Sequence, residues 1–229
     1  MSSLLKLKID IQQFGSKIVL QNIFCEYRLG EIHGFLGENG AGKTTLFHCM
    51  ANIIPYKGKQ MLSENTQFGY LPTELYMFPM ITGDEFLNFF VKAKGYQLNK
   101  EEKNKLNNIF ELPLKQYADT YSTGMLKKLY LLGLLLQHNK VLLLDEPFNG
   151  LDFKSTAFIT LLIKSLKEKG CTVFIASHDI SHLLSYADSI SLITNHTLIF
   201  YPDKEKFPTI KYNIETEAYS KIKEIKNIL

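Results

Sequence analysis

Polar and apolar residues alternate over positions 4–12. They alternate again over 17–36, with many β-branched side chains. This period of two predicts strands separated by turns at FGSK and YRLGE. The spacing then changes. EIHGFLG ends an apolar strand, and GKTTLFHCMANI follows with helical spacing until Pro55, which cannot continue a helix. QFGYLP at 67–72 predicts a short strand. Residues 83–118 predict polar helix broken near Gly95 and Pro113, and Met125 to Gln137 a leucine-rich helix. KVLLLDEP and CTVFIAS are apolar enough for buried strands. Helices are predicted to end at SLKEKG and to run through ISHLLSYA. SISLIT and TLIFY predict a hairpin around NH, and a lysine-rich amphipathic helix closes the chain.

Strands that alternate with helices argue for an α/β fold built on a mixed, mostly parallel sheet covered on both faces. The antiparallel part lies at the N-terminus. A polar helical block at about 75–135 interrupts the alternation and is expected to be an inserted helical subdomain. The whole chain, 1–229, is then one domain whose α/β core comprises about 1–74 and 136–229. No internal repeat or low-complexity segment is present.

Composition narrows the function classes. A chain of 229 residues buries a sizeable core. A formal charge of +3, with scattered lysines and the single arginine Arg28, argues against nucleic acid as a partner. Cys25, Cys49 and Cys171 are odd in number and far apart. Free thiols in a reducing compartment are expected rather than disulfides or a zinc site. MSSLLKLKIDI lacks the apolar core of a signal peptide. The longest apolar run, LYLLGLLL at 129–136, is well short of the roughly 20 residues that span a bilayer. A soluble cytoplasmic chain is expected, with any membrane role supplied by a partner.

Chemistry concentrates at strand ends. Gly37-Glu-Asn-Gly-Ala-Gly-Lys43-Thr44 fits G-x-x-x-x-G-K-[ST] between a strand and a helix. Its glycines let backbone N–H groups surround phosphate oxygens at a helix start. Lys43 is positioned for the β- and γ-phosphates, and the Thr44 hydroxyl for Mg²⁺. Asp145 and Glu146 end the strand VLLLDEP, one acid suited to the Mg²⁺ shell and the next to activating water. His178 follows CTVFIAS at another carboxyl end and suits the γ-phosphate or the attacking water. His178-Asp-Ile-Ser-His182 also imitates H-E-x-x-H, but the acid is short, the first histidine ends a strand, and no third zinc ligand is suggested. In YSTGM, Ser122 is a predicted N-cap and Gly124 leaves the helix start bare, the makings of an anion site.

Together these motifs resemble the ATP-binding subunit of ABC transporters along nearly the whole chain. GENGAGKTT (Gly37, Asn39, Gly40, Ala41, Gly42, Lys43, Thr44 and Thr45 among its residues) is similar to the family's Walker A, and VLLLDEP to its Walker B. YSTGM is similar to the signature usually written LSGGQ, and NGLD at 149–152 to the D-loop. His178 matches the switch histidine, and Phe14 the aromatic that stacks on adenine. Two departures stand out. Thr73 occupies the usual Q-loop glutamine position and is followed by Glu74, leaving either to make its contact to Mg²⁺. The signature carries Thr123 for its second glycine and Met125 for its glutamine.

The resemblance implies ATP and Mg²⁺ as cofactors, and catalysis by Glu146, His178 and Lys43. It implies Thr44 and Asp145 at the metal. Ser122 and Gly124 are implied to serve ATP held by a second ATP-binding subunit, as a homo- or heterodimer. Separate transmembrane permease subunits are implied partners, which would hold the chain peripherally on the cytoplasmic face of the membrane. LPTE and STGM are similar to patterns of export-type branches. Three alternatives are a soluble ABC ATPase in iron–sulfur cluster biogenesis, a small-molecule kinase, and a module that holds ATP and barely hydrolyses it. A kinase would not need YSTGM, NGLD or His178.

Overall fold

A computed structural model describes residues 4–61 and 68–228. Strands β1 (Leu4–Phe14) and β2 (Lys17–Arg28) pair antiparallel, with Phe14 opposite Lys17 at the turn. β3 (Ile32–Leu36) leads into α1 (Lys43–Met50), and the chain returns through β4 (Lys57–Met61) to pair with β1. The sequence pattern did not predict β4. KGKQM has no apolar face, because this is an edge strand of a three-stranded sheet ordered β2-β1-β4. Lysines on such an edge discourage pairing with another chain.

The second sheet gathers β5 (Phe68–Leu71), β6 (Val141–Asp145), β7 (Thr172–Ser177), β8 (Ser189–Thr194) and β9 (Thr197–Tyr201) around β3. Its order is β5-β6-β7-β3-β8-β9, parallel from β5 to β8 and antiparallel at the β8–β9 hairpin. The predicted strand at 67–72 corresponds to β5, and Gln67 lies outside the described residues. Helices cover both faces, so the inner strands are buried throughout. Alternate residues enter different cores. Leu142, Leu144, Val173 and Ile175 face one, while Val141, Leu143, Phe174 and Ala176 face the other, with α1 and the three-stranded sheet.

Between β5 and β6 run α2 (Gly83–Lys92), α3 (Lys100–Phe110) and α4 (Thr123–Leu136), with α2 and α3 both packed on α4. The predicted helical stretch 83–118 is thus two helices and one 3-10 turn, Ala118–Thr120. Thr82 and Glu85 form a capping box that starts α2. Glu111, in the left-handed region, ends α3 two residues before Pro113. Then come α5 (Phe153–Glu168), α6 (Ile180–Tyr186) and α7 (Phe207–Ile228). Among the described residues no helix is long and apolar enough to cross a membrane. The three cysteines are buried and unpaired.

His33 is a buried polar link in this core. Its Nε2 lies 2.7 Å from the Arg28 carbonyl oxygen and its Nδ1 2.8 Å from Ser189 Oγ. Burial pushes its pKa from the ordinary 6.5 to about 4, against the opposing pull of the Arg28 carbonyl. Between those values the unfolded chain binds a proton that the folded chain refuses. The stability at stake is therefore complete above the unfolded value and falls as pH drops towards 4. From about pH 7 to about pH 4.5, His33 should account for roughly 2–3 kcal/mol of lost stability. Urea unfolding at the two pH values checks this, since His33→Gln should show a loss smaller by that amount.

Candidate active site

The strand order decides which loops meet. Leu36 of β3 stands level with Ser177 of β7, and Asp145 of β6 with Ala176 of β7. Gly37, Glu146 and His178 therefore leave the same edge of the sheet, at the carboxyl ends of neighbouring parallel strands where α/β sheets bind ligands. Gly42 caps α1 with φ 107°, and a Cβ there would lie 2.9 Å from Leu20. Only glycine suits both the backbone and the space.

The polar side chains then converge. Thr44 Oγ1 donates to Asp145 Oδ2 at 2.6 Å. The Lys43 ammonium donates to the carbonyls of Gly37 at 2.7 Å and Glu38 at 3.2 Å, and lies 3.4 Å from Glu146 Oε1. His178 Nδ1 is 3.0 Å from Glu146 Oε2. Asp145 is fully buried, and its Oδ1 has no hydrogen-bond partner. Burial raises its pKa, and the hydroxyls of Thr44 and Thr73 oppose the rise; the nearby Glu146 adds to it and Lys43 subtracts. Glu146 Oε1 is likewise buried without a hydrogen bond. Its backbone has φ 48°, a left-handed conformation that costs a non-glycine residue about 1–2 kcal/mol. Its N–H is anchored on the Ala176 carbonyl at 3.0 Å.

A cavity of about 380 Å³ opens over this cluster. Phe14, half exposed, lines it with Asn39, Gly40, Gly42, Lys43, Thr44 and Thr45, and so do Thr73, Asp145 and Glu146. Gly37, Ala41 and His178 line the adjoining cavity. Glu74 is exposed and lines neither, so of the two candidates at the Q-loop position Thr73 is the one brought to Asp145. Ser122 and Gly124 are also absent from both cavities. Ser122 caps α4, its Oγ accepting from the Met125 N–H at 3.3 Å. A Cβ at Gly124 would sit 3.1 Å from Ser155 Oγ, so α5 crowds the start of this helix.

Sequence motifs missed several lining residues. Lys17, Ile18 and Val19 reach the cavity because β2 passes beside the phosphate loop. His196 reaches it from the β8–β9 turn, with Nδ1 3.3 Å from the Val19 carbonyl oxygen. Its backbone takes φ 65° in the NH turn, and no motif in the sequence marks it as a cavity residue. Tyr70 approaches Asp145, and burial followed by that carboxylate's charge raises its pKa. The zinc-like pair is not convergent. His178 addresses Glu146, whereas His182 lies 3.9 Å from Asp179 and against Phe148 at 4.8 Å between ring centres. Among the described residues no group of three or more His, Cys, Asp or Glu side chains is placed to hold a metal.

A family model described as ABC transporter matches residues 20–149, from β2 through the phosphate loop to the turn after Glu146. This chain belongs to the ABC transporter family. An uncharacterized ABC transporter ATP-binding protein of Methanocaldococcus jannaschii is 31% identical over 209 residues, covering 86% of this chain and 77% of its own length. The linearmycin resistance ATP-binding protein of Bacillus subtilis is 27% identical over 201 residues. There the match covers 81% of this chain but 65% of the relative, so this ABC chain spans just under two thirds of that protein. A solved ATP-binding subunit of an ABC transporter superposes with a TM-score of 0.80 at 22% identity, covering 91% of this chain and 94% of the other. That likeness bears on the fold, a mixed α/β architecture with a mostly parallel sheet and antiparallel N-terminal strands. Family membership implies nucleotide binding and ATPase activity.

Proposed function

We propose that this ABC chain is the motor subunit of a transporter. It closes on ATP as a head-to-tail dimer, hydrolyses the nucleotide, and passes the closure to separate transmembrane permease subunits that hold it at the cytoplasmic face of the membrane. The observation that carries the reading is a division of labour. Lys43, Thr44, Asp145, Glu146 and His178 converge within hydrogen-bonding reach, while Ser122 and Gly124 stand apart from their cavity at an exposed helix start. A second copy supplies the missing signature to each nucleotide. Residues of about 75–135 act as the helical subdomain that carries this signature between the two parts of the core.

In each site Phe14 stacks on the adenine at the cavity mouth, and the phosphate loop from Gly37 to Thr45 surrounds the phosphates. Lys43 exchanges its carbonyl partners for phosphate oxygens. The unpartnered Oδ1 of Asp145 and the Thr44 hydroxyl beside the other oxygen are hard donors that suit Mg²⁺, with Thr73 alongside; when bound, the ion offsets charge on the β- and γ-phosphates. Glu146 accepts the proton of the attacking water as that water bonds to the γ-phosphorus and the bridging P–O bond breaks. His178, 3.0 Å from Glu146, fixes the direction of the carboxylate. Export is the favoured direction, in keeping with the linearmycin resistance relative; the relatives named lend no support to iron–sulfur assembly.

A shared site makes hydrolysis depend on pairing. ATPase activity per chain should rise with protein concentration and level off once dimers predominate, which a dilution series of the purified chain measures. A rate per chain independent of concentration, with the chain monomeric throughout, overturns the shared-site reading.

A further inference from the structure

Lys127 lies in α4, just beyond the capping Ser122, yet its side chain enters the protein and is 2% exposed. The helix around it is otherwise apolar inside, with Leu129, Leu131, Leu132, Leu134 and Leu136 buried. Its ammonium donates to the carbonyl of Glu146 at 2.8 Å and to that of Asn149 at 2.6 Å. These carbonyls are the two ends of one tight turn, which the Asn149 N–H closes on the Glu146 carbonyl at 3.2 Å. The Glu146 N–H is fixed on β7, so the left-handed backbone that presents this carboxylate is held by a strand on one side and by Lys127 on the other. Burial lowers the Lys127 pKa to about 8, with the Glu146 charge opposing the shift. A side chain needed only for packing in this helix would be served by leucine or methionine at no desolvation cost.

We propose that Lys127 is a positioning residue for hydrolysis, a strut joining the signature helix to the turn that aims Glu146. Its action on Glu146 stands within one subunit. The link it makes between two nucleotides rests on the dimer reading above: α4 faces the ATP of the partner copy, Glu146 faces its own, and Lys127 connects them. A shift of α4 on meeting phosphate is then transmitted to the backbone of Glu146.

The test compares full-length variants. Lys127→Met keeps the length and apolar stem but removes the donors. Its kcat should fall at least about tenfold while KM for ATP stays within about twofold. Lys127→Arg, which keeps donors for two carbonyls, should recover kcat to within about threefold of the parent. In the Glu146→Gln background, where turnover no longer matters, adding Lys127→Met should leave ATP-driven dimerisation unchanged by size exclusion. A Met variant with kcat within about twofold of the parent overturns the proposal. So does a joint loss of kcat and folded protein that arginine does not restore, which would make the lysine structural. Loss of the dimer in the double variant also overturns it, by assigning Lys127 to closure. If Glu146→Gln alone gives no ATP-dependent dimer, the head-to-tail reading fails, and the kcat and rescue comparison still decides the link from Lys127 to Glu146.

Discussion

Glu146→Gln is expected to lower ATP turnover by at least about 100-fold, the usual scale for loss of a positioned general base. The substitution is nearly isosteric, so the buried pocket beside Lys43 and His178 stays filled. The amide cannot take the proton of the attacking water. Removing the carboxylate also removes its repulsion towards a γ-phosphate held a few ångströms away, so ATP should bind at least as well as in the parent. Nucleotide that binds but is not cleaved should hold the closed dimer together. Size-exclusion chromatography with and without ATP checks this, and the expected result is a shift to dimer mass with ATP alone. A monomer that hydrolyses ATP at the parent rate would remove Glu146 from the proposed chemistry and the dimer from the proposed function.

Ser122→Arg should reduce hydrolysis by on the order of 100-fold, comparable to deleting donors that stabilise charge in a transition state. Ser122 is exposed, caps α4 and does not line the cavity over the phosphate loop. Arginine there places bulk and positive charge against the positive end of the helix, and in the proposed dimer it fills the space of the partner's phosphate. Loss of the cap itself costs only about 1 kcal/mol, too little to unfold a domain of this size. Nucleotide affinity of the monomer should therefore stay near the parent value, while ATP-driven dimerisation and turnover disappear together. Titration with a fluorescent ATP analogue, run beside the ATPase assay, separates the two quantities. Parent-level hydrolysis by this variant would show that the signature helix does not complete a site on another subunit.

Local chemistry was legible wherever backbone geometry and function coincide over a few residues. The phosphate loop is an example, since the left-handed Gly42, the helix start and Lys43 occupy consecutive positions between a strand and α1. Alternating apolar positions likewise marked β1 and β2, and unbroken apolar runs marked the buried strands β6 and β7. β4 was invisible because an exposed lysine-bearing edge has no apolar face to reveal it. His196, Lys17 and Val19 were invisible for another reason. They belong to no motif and reach the cavity only because β2 and the β8–β9 turn pass beside the phosphate loop. Lys127 and Lys128 are adjacent and alike in sequence, and only the carbonyl partners of Lys127 set it apart.

Short-range spacing and hydrophobic period were enough to mark the reactive groups, the secondary structure that carries most of them, and the family resemblance. Which groups meet depends on how the strands and helices pack. Thr44 and Asp145 are 101 positions apart, and their 2.6 Å hydrogen bond exists because β6, β7 and β3 are adjacent and level at their carboxyl ends. That packing also decided that Thr73 rather than Glu74 stands by Asp145, and that the backbone of Glu146 is gripped by α4 through Lys127. Those facts follow from strand order and helix packing, which depend on long-range burial and leave no periodic trace along the chain.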